Sequence, residues 1–574
     1  MSALPSWGAI PTATGTRFRL WAPDADTLAL SLPDSEHEMI AVDDGWFELT
    51  VKVPLNTKYM FLLPDGQRVP DPASRLQAGT VGGPSVVTSA DYDWQHDRPK
   101  TGWYEAVIYE CHIGTFTPEG TFRAAIDKLP HLADLGVTVL EIMPVGQFGG
   151  DRGWGYDGVL PYAPHPTYGT PQDLRRLIDA AHSHGIMVLL DVVYNHFGPE
   201  GNYLHLYASQ FFDAERQTPW GAGIDFAASP VRRFFIENAL YWIETFNLDG
   251  LRLDAIDHVQ DPKSDPEFLI ELAQEIRANI DRPVHLTTED NRNVTHLHER
   301  DGGRTQLMTA EWNDDWHNAA HVLLTEETEG YYDAYVDDPT RHLARAMAEG
   351  FATKGAQGNG GASGHLPPDV FIDFLQNHDQ IGNRASGERL TTLTTPEHLQ
   401  AMQAVLLLSP HIPMVFMGDE WDETNPFLFF AGFEGDLGNA VTEGRRREFE
   451  HFESFSTDDV PDPINPKTFD RSRIDWSKAN STPGQAACTR FRDLLNLRRQ
   501  RIAPMIPGTG PDCGEVLDAP DGCFAIDWHL GGGLLSLRAN LSSAATNLPA
   551  TKGDCIHLSG DAVGAAASAA FWIA

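Results

Sequence analysis

From Ala106 onward the chain repeats one alternation eight times: an apolar run of strand length, then a stretch whose apolar residues recur at helical spacing. The first four runs are AVIYECHIGTF from Ala106, VTVLEIMPV from Val137, IMVLLDVVYNH from Ile186 and LDGLRLDAI from Leu248. VHLTTED from Val284, LMTAEW from Leu307, VFIDFLQNHD from Val370 and HIPMVFMGDE from His411 complete the set. Between them lie amphipathic segments such as TFRAAIDKLPHLADLG, PQDLRRLIDAAHSHG, PVRRFFIENALYWIETF and PEFLIELAQEIRANI. Parallel strands need long crossovers, usually helices, so this order predicts a parallel sheet. Eight such units over roughly 400 residues predict a closed (β/α)8 TIM barrel.

The flanks read differently. TRFRLWAP, TLALSL, GWFELTVKV and KYMFLL, separated by the turn signals PDAD, PDSE and PDGQ, predict a small β-sandwich. CTRFRDLLNLRRQRIA reads as the last helix, and GCFAIDWHL, GGLLSLRANLS and AAFWIA predict a small C-terminal β domain. The expected architecture is multidomain α/β. An immunoglobulin-like sandwich spans 1–95, a barrel with a small excursion near 197–229 spans 96–503, and the β domain spans 504–574. The run GAQGNGGASG at 355–364 is expected as a mobile loop.

A formal charge of -39 without a long acidic block disfavours nucleic acid and anionic membranes, and suits a neutral substrate. The five cysteines are odd in number and lack CxxC spacing, so reduced thiols in a cytoplasm are expected. The N-terminus has no basic stretch leading into an apolar core, and no run reaches the length of a membrane span. A soluble, cytoplasmic protein is the expectation.

Side chains two apart on a strand share a face, so Arg252 and Asp254 in LDGLRLDAI point the same way. Burying that pair is costly, and taken alone it reads equally well as a structural ion pair. The other strand ends change the balance: DVVYNH brings Asp191, Asn195 and His196, TTED brings Glu289, and LQNHDQ brings His378 and Asp379. Three carboxylates on one rim, Asp254, Glu289 and Asp379, repel one another, which stability would not select and pKa tuning would. Carboxylates with histidine also suit Mg²⁺ or Mn²⁺, and that alternative stays open on spacing alone. The GxGxxG-like run in GDRGWGYDG neither closely follows a strand nor opens a helix, so no nucleotide site is read there.

DVVYNH, GLRLDAIDHV, the Glu of TTEDN and FLQNHD resemble, in order, the four conserved regions of the α-amylase superfamily of glycoside hydrolases. The resemblance implies Asp254 as nucleophile, Glu289 as general acid/base and Asp379 as the group stabilising the distorted sugar. It implies His196 and His378 as sugar ligands, Arg252 as the cation holding the nucleophile ionised, and Tyr156 as a stacking platform. GTFTPEGTF, GGDRGWGYDGVLPYAPHPTYGTPQDL, YNHFGPEGNYLH, EWNDDWHNAAH, FLQNHDQIGNRA and GRRREF are similar to the trehalose-releasing branch of that superfamily. The implied substrate is maltooligosyltrehalose, cut at the α-1,4 bond beside its terminal trehalose.

Asp257-His258 stands where many amylases have Lys-His, which argues against an ordinary starch amylase and against their calcium arrangement. The leaving-group side is expected to use Asp257 and His258 with Trp312, Asn313, Asp314, Asp315 and His317 of EWNDDWH. No cofactor and no metal are expected. Two alternatives accompany this reading: an α-glucan branching enzyme, and a non-catalytic amylase-like partner of a transporter. Members of the latter kind usually lack part of the carboxylate set and carry a membrane anchor. This chain has the full set and no anchor is expected.

Overall fold

The computed structural model describes residues 4–218, 221–355, 358, 362–449 and 460–574. Its centre is a closed parallel barrel of eight strands: β1 Ile108–Cys111, β2 Val139–Ile142, β3 Met187–Val192 and β4 Gly250–Leu253, then β5 His285–Thr288, β6 Ala310–Trp312, β7 Phe371–Phe374 and β8 Ile412–Phe416. All eight apolar runs supply a strand, each shorter than its run. The first run stops at Cys111 and turns into a short helix at Ile113–Phe116.

The crossovers are helical except the one from β5 to β6, where the expected alternation fails and only a small hairpin, Arg300–Asp301 with Arg304–Thr305, intervenes. α1 (Phe122–Ile126) and α2 (Leu129–Leu135) divide the first amphipathic segment at Asp127–Lys128, because Pro130 lacks an N–H and suits a helix's first turn. α3 (Pro171–Ser183), α4 (Ser229–Thr245) and α5 (Phe268–Asn279) follow β2, β3 and β4. Two helices, α6 (Asp314–Thr325) and α7 (Pro339–Glu349), connect β6 to β7; α8 (Pro396–Leu408) connects β7 to β8, and α9 (Thr482–Leu497) closes the ring.

Side-chain alternation sorts the barrel interior into layers. Ile108, Val139, Met187, Leu189, Ala310, Trp312, Ile372, Phe374, Ile412 and Met414 form its apolar plug. Two residues further along their strands, the same face carries Glu110, Glu141 and Asp191, and Asp191 lies in register with Arg252. The interior therefore changes from hydrocarbon to charge at the C-terminal ends, the end where barrels of this kind place their sites.

Ahead of the barrel, two antiparallel sheets pack across a shared core in which Phe18 meets Tyr59 edge to face at 4.9 Å. Trp7 docks this unit on α4: its indole N–H donates to Pro230 O at 3.0 Å, and Glu237 accepts the backbone N–H groups of Ser6 and Trp7. After α9, a five-stranded antiparallel sheet covers α7, where the Trp528 indole N–H donates to Met347 O at 3.0 Å. The segment after β3 forms two 3-10 turns and a hairpin, Phe212–Thr218 with Gly221–Ile224, from which Arg216 reaches His258 O at 3.3 Å. Half of the Gly-rich run at 355–364 lies outside the described residues. All five cysteines are free thiols, and no described helix is long and apolar enough to cross a membrane.

Candidate active site

Arg252, buried in the middle of the mouth, organises it. Nη1 donates to Asp191 at 2.6 Å and to Asp254 at 2.8 Å, while Nη2 donates to Glu289. Its guanidinium lies over the Trp312 ring at 4.0 Å, so an aromatic face covers the cation where water cannot. Burial opposes the charge, but Asp191, Glu289, Tyr156 and Asp254 outweigh it and hold Arg252 firmly protonated. Asp254 is further fixed by Asn195, whose Nδ2 donates to both its backbone and its side-chain oxygen at 2.8 Å.

The turn after Asp254 is strained for a purpose. Ala255 is left-handed at φ +39°, an uncommon state for a residue with a Cβ. That geometry aims its N–H at the Glu289 carboxylate, 3.2 Å away, and the Ile256 N–H at Glu289 O, 2.9 Å away. Glu289 is held well above the ordinary carboxylate range by burial, with Asp254, Asp379 and Asp314 adding to the rise and Arg252 opposing it. Asp379 is raised too, again by burial first and by Asp254, against His378, Arg252 and the Asn383 amide that donates to it at 2.8 Å.

His378 donates its backbone N–H to Glu110 at 3.0 Å and its ring Nδ1 meets the same carboxylate. Its ring stacks on Tyr156 at 5.0 Å, and the Tyr156 hydroxyl donates to Asp191 at 2.7 Å. His196 contacts Tyr156 O through Nε2 at 2.9 Å and Asn195 through Nδ1. Asp257 and exposed His258 face each other at 3.8 Å on the rim beyond Asp254. The structure thus gathers Asp254, Glu289, Asp379, Arg252, His378, His196 and Tyr156 at one mouth.

The EWNDDWH stretch, expected to supply Trp312, Asn313, Asp314, Asp315 and His317 to the leaving-group side, divides in its surroundings. Trp312 is the floor under Arg252. Asn313 caps α6, accepting from the Trp316 N–H and donating to Gly350 O and Asp373 at 2.8 and 2.9 Å. Asp315 is buried as a brace, accepting from Thr353 N–H at 2.7 Å, Asn293 Nδ2 at 3.1 Å and the Tyr335 hydroxyl. His317 is buried on Phe374, bonded to Leu375 O at 2.8 Å, and burial drops its pKa to about 3. Asp314 alone stays near the mouth, raised to about 7 by burial and then by Asp379 and Asp315.

Two buried carboxyls that the sequence motifs do not single out adjoin the site. Glu110 anchors His378, and Glu141 lies beside it in register, buried, with neither oxygen partnered. Burial, then Glu110, hold Glu141 well above the ordinary range. The available signal was a glutamate inside an otherwise apolar strand, once in IYEC and once in VLEI. No group of three or more His, Cys, Asp or Glu among the described residues is arranged to hold a metal ion.

This fold, with a carboxylate-lined mouth, is that of the α-amylase class of glycoside hydrolases: the alpha-amylase catalytic domain profile matches residues 97–217 and 221–491. A domain of unknown function, DUF3459, matches residues 512–572. A malto-oligosyltrehalose trehalohydrolase of Deinococcus radiodurans is 42% identical over 506 residues, covering 86% of this chain and 82% of the relative. A Salmonella typhimurium crystal structure, assigned as an alpha amylase, superposes with a TM-score of 0.97 at 50% identity over the whole of both chains. A 1,4-alpha-glucan branching enzyme of Corynebacterium efficiens is more distant, at 27% identity over 81% of this chain and 68% of its own. The chain belongs to the malto-oligosyltrehalose trehalohydrolase family of glycoside hydrolases.

Proposed function

We propose that the protein is a retaining glycoside hydrolase that cleaves the α-1,4 bond beside the terminal trehalose unit of maltooligosyltrehalose, releasing trehalose and a maltooligosaccharide. The observation that carries the chemistry is the guanidinium of Arg252 bridging Asp254 and Glu289. Two carboxyls gripped by one guanidinium suit the close spacing of retaining enzymes, about 5–5.5 Å, in which one attacks and the other transfers the proton. The trehalose-ended substrate is supported by the family to which the chain belongs.

Asp254, its carboxylate paired with the Arg252 cation and one Asn195 amide hydrogen, is the nucleophile that attacks the anomeric carbon and forms the glycosyl-enzyme. Glu289 is the acid: its raised pKa keeps a proton for the departing oxygen, and it then takes one from the attacking water. Asp379 binds ring hydroxyls more tightly as positive charge develops on the sugar. His378 and His196 hold that sugar, and Tyr156, with one face taken by His378, offers it the other. Asp257, His258 and Asp314 border the departing side.

Product analysis tests the reading. Rapid release of free trehalose from maltooligosyltrehalose, with slow cutting of the matching maltooligosaccharide, is the expected result. New α-1,6 linkages from amylose without trehalose release would replace it with branching.

A further inference from the structure

The rim beyond Glu289 carries two charged side chains, Asp257 and Arg292, and the scheme above gives the second of them no role. The Ile256–Glu289 and Ala255–Glu289 hydrogen bonds press the turn after β4 against the turn after β5. The first turn carries Asp257, with 12% of its side chain exposed, and the second carries Arg292, with 22% exposed.

Arg292 is held edge-on by its neighbour. Nε donates to Asp290 Oδ1 at 2.7 Å and Nη2 to Oδ2 at 2.6 Å, and the Asp290 side chain is wholly buried. A guanidinium gripped along one edge is fixed in plane, and Nη1 keeps its donors for another acceptor. The positive charge of Arg292 acts on Asp257, opposing the rise that burial and Asp290 impose on that carboxyl.

The loop behind Arg292 is stiffened as well. Asn293 is left-handed at φ +54°, and its amide donates to Asp315 at 3.1 Å, while Asp315 also binds Thr353. A Cβ at Gly355 would sit 2.3 Å from the Arg292 carbonyl, so a glycine there lets this segment close on the back of the loop. Asp315 thereby acquires a role through Arg292 instead of through sugar.

We infer that Arg292 and Asp257 together read adjacent hydroxyls on the terminal glucose of the trehalose unit, Nη1 donating to one and the carboxylate accepting from the other. The inference rests on the trehalose-releasing reading. Glu289 must reach the departing oxygen, so the departing sugar lies along the β4–β5 rim where this pair sits. A fixed donor beside a fixed acceptor selects a diol held at one spacing and rejects a chain end that presents its hydroxyls elsewhere.

The test compares maltotriosyltrehalose, maltopentaose and α-maltosyl fluoride with the full chain and its R292L, R292K and D257N variants. The fluoride has no departing sugar, so it reports the machinery without this rim. For R292L, kcat/KM on maltotriosyltrehalose should fall by about tenfold to a hundredfold more than on the fluoride. The preference over maltopentaose should shrink in step. R292K, which keeps the charge and loses the fork, should recover only part, and D257N should repeat the selective loss. Equal losses on both substrates, or none, would overturn the inference and leave Arg292 as loop support. If the wild type shows no preference for the trehalose-ended substrate, the functional reading itself fails before any variant is measured, and this inference falls with it.

Discussion

Glu110 accepts two hydrogen bonds from one residue, the backbone N–H and the ring Nδ1–H of His378. This couples the barrel interior to the wall of the mouth.

Burial works against the His378 imidazolium, and Glu110 outweighs it, so the folded-state pKa is raised. The stability this contributes is fully present below the ordinary histidine pKa of about 6.5 and is lost as pH rises through the raised value. Glu110→Gln should therefore lower Tm most on the acid side, with the gap to wild type closing as pH climbs. Thermal unfolding between about pH 5 and 9 checks this; a constant gap would refute it.

Arg252→Met leaves Asp191, Asp254 and Glu289 without their shared cation. Breaking a buried pair in this way costs about 3–5 kcal/mol. Arg252→Lys should be milder in denaturant melts but still lose about a hundredfold to a thousandfold in kcat/KM, because one ammonium cannot reach three carboxyls.

Glu141 has a raised folded-state pKa and no partner for either oxygen. A raised carboxyl gives stability that is complete below its unfolded pKa and fades as pH rises above it. Glu141→Gln, neutral at every pH, should flatten this decline, so its stability relative to wild type should be greater at pH 8 than at pH 5. Urea midpoints at the two values decide it.

His317 is neutral in the fold, with its pKa dropped to about 3 by burial. Such a depressed histidine costs stability as pH falls from about 6.5 toward 3, where only the unfolded chain takes up the proton. His317→Phe, stacked the same way on Phe374, should blunt the acid-side loss and keep kcat/KM within about threefold of wild type, since packing alone puts it within ordinary mutational scatter. A large loss of discrimination against maltooligosaccharides would instead return His317 to the leaving-group side.

The barrel was legible because its strands are apolar runs, several of which end in polar residues such as YNH, TED and NHD, and the Arg252–Asp254 contact was legible from the two-residue period of a strand. The trehalose branch was legible from loops such as GWGYDG and FLQNHDQ. What sequence order hid was direction. The polar cluster after β6 looks like one face of a site, but Asn313 starts a helix there, and successive side chains turn by about 100°. Asp314 remains at the mouth while Asp315 rotates into packing, and His317, nearly a turn further along the helix, is drawn onto Phe374 and Leu375 O. Glu110 and Glu141 were hidden for the opposite reason: each is a single charge within an apolar strand, and only barrel closure reveals which way it points.

One guanidinium shared by Asp191, Asp254 and Glu289 has a consequence for enzymology. Burial raises Asp191 and Glu289 and the one Arg252 charge opposes both rises, so the limbs of the pH–rate profile belong to the assembly and not to separate side chains. Removing the Arg252 charge should displace both limbs together, and the optimum should travel as a whole.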